Sequence, residues 1–124
     1  MNKEQTVRYL LMLSGKAWSE QSVLSACQFS QAAIQQGHTI DAIFLYQDGV
    51  TNALPQLDIS SDELNGQKAL LELHNKHGVP LWLCVTAGAK RGVNEENVIP
   101  GFKIAGLAEF AERSTEVDKV IQFK

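Results

Sequence analysis

Seven consecutive residues, VRYLLML from Val7 to Leu13, are apolar apart from Arg8, and the run stops at Ser14-Gly15. A strand with one wet face alternates, whereas a strand buried on both faces reads as a near-continuous apolar run. The segment therefore predicts an interior strand, and with it layers of other structure on either side. The period then changes. Val23, Cys27, Ser30 and Ile34 fall at helical spacing, flanked by Ala26 and Ala33, and Gly37 supplies a stop, which predicts a helix over 19–36.

A second strand is expected over Thr39 to Tyr46, ending in the polar turn Gln47-Asp48-Gly49 and followed by a loop through Asn52, Pro55 and Asp58. In the next helix Ser60 or Ser61 can cap and Leu64, Leu70 and Leu71 offer apolar contacts. Gly66 weakens its start, while 68–76 is rich in good helix formers. Pro80 opens a third strand, PLWLCV, a last helix is expected over 104–113 with Leu107, Phe110 and Ala111 on one face, and VDKVIQF closes as a strand. This alternation predicts an α/β fold: a single three-layer domain over residues 1–124, with a mainly parallel sheet and helices on both faces.

Charge and cysteine usage narrow the function. A formal net charge of -3 disfavours direct nucleic-acid binding, which calls for a basic surplus to neutralise phosphates. The apolar stretch near the N-terminus is too short for a membrane span and reads poorly as a signal peptide. Two cysteines can form at most one disulfide, so a reducing cytoplasm is the default expectation.

Of those two, Cys27 lies on the apolar stripe of the first helix and reads as an inert core residue. Cys84 stands where the third strand ends, and in open α/β sheets that end of the strands is where sites are built. The small residues Thr86 to Ala89 follow it, then Lys90 and Arg91. A short helix after Val85 would turn its free amides toward a sulfur anion, and the cations could add to that; otherwise Cys84 is a buried strand residue and the cations a solvated pair. Stabilising the anion matters most when the same sulfur must later leave, which suits a carrier that accepts a group and passes it on. His38, His74 and His77 stand at no recognised metal spacing with Cys84 and there is no CxxC or phosphate-loop glycine pattern, so neither metal nor cofactor is expected. A Cys-His pairing formed only in the fold stays open.

At these residues the chain resembles the DsrE family of sulfur-relay proteins. The resemblance runs through SACQFSQAAIQQGHTI, through IFLYQDGVTNA with Phe44, Tyr46, Asp48, Gly49, Val50 and Asn52, through LCVTAGAKRGV, and through GFKIAGLAEFAE and DKVIQF. It implies a sulfurtransferase with Cys84 as the active cysteine. That residue would take sulfane sulfur as a persulfide from an upstream donor and hand it to a downstream cysteine carrier. The branch it resembles most implies delivery to the 2-thiouridine of transfer RNA, in a hetero-oligomer with sister subunits; other members imply a homo-oligomer or a role in sulfur oxidation. Between Val93 and Phe102 the chain has a shorter loop than those relatives carry. A non-catalytic assembly subunit and a small-ligand binding module of the same fold are the rival readings.

Overall fold

The computed structural model describes residues 5–18 and 21–124. Its elements are β1 (Arg8–Leu13), α1 (Gln21–Gln35), β2 (Thr39–Leu45), a 3-10 helix (Gln47–Ala53), α2 (Gly66–His77), β3 (Leu81–Cys84), α3 (Val85–Lys90), β4 (Phe102–Ala105), α4 (Leu107–Ser114) and β5 (Lys119–Phe123). The five strands form one sheet in the order β4-β3-β2-β1-β5, and every neighbouring pair is parallel, so the sheet is fully rather than mainly parallel. In β1, Leu10, Leu11 and Leu13 are buried, and in β2 Ile40 and Ala42 to Leu45 are buried, as their apolar runs require.

Alternation along the strands sorts the two faces. On one face the Phe29 ring of α1 meets Tyr9 edge-on at 5.0 Å and lies 6.1 Å from Phe123. On this side α1 also packs beside α2, burying Val23, Ala26, Cys27, Ala33, Leu70 and Leu73. The opposite face carries Phe44, whose ring lies 4.9 Å from Phe110 of α4. Here one short helix does the covering, and none of its residues is buried.

A register shift between Tyr9 and Leu10 leaves Asp41 of β2 without a partner across the ladder. The bulge turns its carboxylate toward α4, where it accepts from Arg113 Nε at 2.9 Å and Arg113 Nη2 at 2.5 Å, with Arg8 Nη1 at 3.4 Å. That side chain is only 7% exposed, so burial of a charge is matched by a two-pronged guanidinium contact.

Several boundaries differ from the sequence expectation. The segment 104–113 is not one helix: Ile104 and Ala105 belong to β4, an added edge strand, and the helix begins at Leu107. The turn at Gln47-Asp48-Gly49 and the loop to Asn52 are one 3-10 helix. Neither Ser60 nor Ser61 caps α2; Asn65 does, its side chain accepting from Lys68 N at 3.0 Å. The closing strand starts at Lys119, and the expected helix start at Ser19 lies outside the described residues. Gly66 opens α2, where a poor helix former does little harm. A Cβ there would sit 2.7 Å from both Asn52 Oδ1 and Val23 Cγ1.

The 3-10 helix is pinned to the end of β1. Asn52 is fully buried and its Nδ2 donates to the carbonyls of Gly15 at 3.1 Å and Gly49 at 2.9 Å. Thr51 Oγ1 accepts from Ala17 N and donates to Asp48 O, and Gln67 of α2 donates to the carbonyls of Asn52 and Leu54. A Cβ on Gly49 would lie 2.2 Å from the carbonyl oxygen of Leu13, a backbone atom that cannot step aside. Gly49→Ala is expected to lower the unfolding free energy by about 3 kcal/mol through overpacking, read as a lower urea midpoint at unchanged slope.

Candidate active site

Cys84 is both the last residue of β3 and the N-cap of α3, with φ -68° and ψ 125°. The expected short helix after the cysteine is therefore present. Its sulfur makes no capping hydrogen bond, and the amides of Val85, Thr86 and Ala87 have no acceptor within α3, as at the start of any helix. Position, charge and burial then have to be taken separately, because they do not all agree with the sequence reading.

The thiol does not stand exposed at the strand's mouth. Cys84 is 1% exposed, held under its own neighbours, and it borders a recess of about 270 Å³ whose walls are Tyr46, Gln47, Thr86, Ala87, Lys90, Arg91 and Leu107. The reason is the sheet: β2 and β4 flank β3, so the rims left by the 3-10 helix and by α4 close around the strand end. Cys84 is one of the residues lining this recess, although almost none of its own surface reaches solvent.

The two cations also part company. Arg91 Nε donates to Asp48 Oδ1 at 2.9 Å and its Nη1 to the carbonyl of Ala87 at 3.1 Å, so this guanidinium ties α3 to the 3-10 helix. Lys90 is exposed and, among the described residues, makes no ion pair. The segment after α3 is locked in turn: Val93, buried, donates its amide to the carbonyl of Gly88 at 2.8 Å, with Gly92 at φ +78° making the bend. Sequence reasoning singled out Cys84, Lys90 and Arg91 and missed Tyr46, Gln47 and Leu107. Tyr46 and Gln47 follow β2, the neighbour of β3, so strand order would have located them. Leu107 reads in sequence only as part of the apolar face of the last helix, and it is β4 before it that brings it to the recess.

Cys27 belongs elsewhere. It is 6% exposed in the core between α1 and its neighbours, and burial pushes its thiol up to about 12, with the Glu72 carboxylate adding in the same direction. Neither cysteine is in a disulfide. Among the described residues no three His, Cys, Asp or Glu side chains gather as a metal would need, and no helix is long and apolar enough to cross a membrane. His38 accepts from Val7 N and His74 bonds the Val79 carbonyl, which commits both rings to local backbone.

The DsrE/DsrF-like family matches residues 8–123. Among curated proteins, "Sulfurtransferase TusD" of Cronobacter sakazakii is 36% identical and that of Klebsiella pneumoniae 37% identical, each aligned over 94% of this chain and all of the relative. Among solved structures, the ychN protein from E. coli superposes with a TM-score of 0.81 at 27% identity, covering 95% of this chain and all of that one. A protein of unknown function from Methanobacterium thermoautotrophicum, MTH1491, shares the fold with a TM-score of 0.71 at 16% identity, over 93% of this chain and 98% of its own.

The Cys27 thiol makes a pH prediction. Its folded-state value lies above the ordinary 9.0, so the unfolded chain releases this proton first as pH rises. The stabilisation is complete below pH 9 and is lost progressively between pH 9 and about 12. Cys27→Ala should therefore show a shallower alkaline loss of stability than the unchanged protein, measured by urea unfolding across that range.

Proposed function

The chain belongs to the DsrE/DsrF-like family, and from that premise we propose that it is a sulfurtransferase subunit of a sulfur relay, with Cys84 as the atom that carries the sulfur. The observation that carries this reading is the position of Cys84: a thiol at the end of a rigid strand, at the first turn of a helix, opening on a recess with room for a sulfur-bearing side chain.

The chemistry needs no cofactor and is redox-neutral. The Cys84 thiolate attacks the outer sulfur of a donor persulfide, the new S–S bond forms as the old one breaks, and the donor leaves as a thiolate. In the second half an acceptor thiolate attacks the outer sulfur now on Cys84, and Cys84 itself departs as the thiolate. The amides at the start of α3, which have no acceptor within that helix, favour negative charge beside them in both steps. Lys90, exposed at the rim, favours approach of an anionic sulfur.

The partners follow from the same reading: an upstream persulfide donor, a downstream cysteine carrier, and sister subunits of the family. Large apolar side chains left half in water, Val85 and Leu107 beside the recess and Val120 on the thinly covered face, support association with other chains. The sulfur is destined for the 2-thiouridine of transfer RNA, through further carriers, and a net charge of -3 disfavours direct contact with the nucleic acid.

Incubation with a protein persulfide donor, followed by intact-mass analysis, tests the assignment. The unchanged protein and Cys27→Ser should each gain the mass of one sulfur atom, reversibly by thiol reductant, and Cys84→Ser should gain none. Retention of sulfur by Cys84→Ser at the wild-type level overturns it.

A further inference from the structure

We propose that α4 is a movable cover over Cys84 and that the clasp between Arg113 and Asp41 positions it. The inference rests on Cys84 being the reacting atom. A thiol that is 1% exposed cannot be met in line by a sulfur on another protein unless part of its surround moves.

Three elements wall the recess, and they differ in how firmly they are held. The 3-10 helix behind Tyr46 and Gln47 is fastened by buried Asn52 and Thr51. α3 is fastened through buried Ala87, Gly88 and Val93 and through Arg91. α4 has no buried residue, and Leu107, the side chain it lends to the recess, is 46% exposed. Elements with few buried apolar contacts open at the least free energy, so α4 is the wall that gives way.

Its attachments are few and named. At its start Gly106, next to Ala105, joins it to β4, and Ala105 is the register partner of Cys84, so rotation there carries Leu107 away from the recess that Cys84 lines. Beyond that point Phe110 rests on Phe44, Glu109 pairs with Lys103 at 3.7 Å in an exposed contact, and Arg113 grips the bulged Asp41 with two hydrogen bonds. The last is the strong one, since a paired charge on a 7% exposed carboxylate loses more when broken than an exposed pair does. Arg113 lies six residues from Leu107 on the same helix and touches nothing in the recess, so its effect on the thiol passes through α4.

The test measures iodoacetamide alkylation of Cys84 by peptide mass mapping, beside amide exchange, on the full chain. Arg113→Gln and Asp41→Asn should each raise the alkylation rate about tenfold, the factor matching about 1.4 kcal/mol of easier opening. Exchange over 107–114 should accelerate with it while exchange over 40–45 in β2 stays unchanged, and Arg113→Lys should restore much of the protection. Unchanged alkylation in both variants overturns the proposal, whether or not α4 exchange accelerates. Equal acceleration over 40–45 means general destabilisation and overturns it as well. Alkylation needs no sulfur donor, so a wild-type protein that fails to load sulfur would refute the carrier reading and leave this test intact.

Discussion

The buried amide of Asn52 holds together the end of the sheet on which the site stands. Its two donors close the carbonyls of Gly15 and Gly49, joining the loop after β1 to the 3-10 helix, and the backbone carbonyl of the same residue accepts from Gln67 on α2. Three segments far apart in sequence thus meet at one fully buried residue. Its Oδ1 finds no donor among the described residues, a local cost of about 1–3 kcal/mol that the remaining bonds and the packing around Val23 and Gly66 must offset. With that end fixed, Tyr46 and Gln47 become rigid walls of the Cys84 recess and Asp48 is held where Arg91 can reach it.

On the proposed carrier reading, firmness on one side of the recess and looseness on the other would answer two opposed needs of the chemistry. A sulfur anion must be kept from water and stray oxidants, which favours burial, yet it must also meet two successive protein partners, which demands access. β3 and α3 meet the first need, since they set Cys84 at a strand end and helix start with no side-chain freedom beyond its own rotamer. The sparse cover on the Phe44 face is the part proposed to meet the second. Among the described residues that face carries one eight-residue helix against five strands, and it leaves Leu107 and Val120 in contact with solvent.

Legibility in the sequence follows the physics of each element. β1, α1 and β2 were readable because each buries one clear periodicity, and Cys27 was readable as core for the same reason. The 3-10 helix was not, since three residues per turn matches neither the strand nor the α-helix period and its residues are chosen by tertiary bonds. β4 was hidden because FKIA adjoins GLAEF, and four residues of edge strand carry too little pattern to stand apart from the helix that follows. The cap of α2 was misplaced because Ser60, Ser61 and Asn65 are all competent N-caps, and only the bonding of Gly66 N to the Ala17 carbonyl at 2.7 Å selects the last.

By itself the sequence determined the layered parallel architecture and which of two cysteines is core, since these depend on periodicity and local turn residues that each segment carries within itself, and its ordered motifs carried the family resemblance. Only the tertiary structure decided how deeply Cys84 lies, which cation is tied and which is free, and what walls the recess. Those properties belong to contacts between Asp48 and Arg91, Asp41 and Arg113, Ala105 and Cys84, residues separated by up to 72 positions. No local pattern encodes such a meeting, because the free energy that favours it exists only once the chain has closed around both partners.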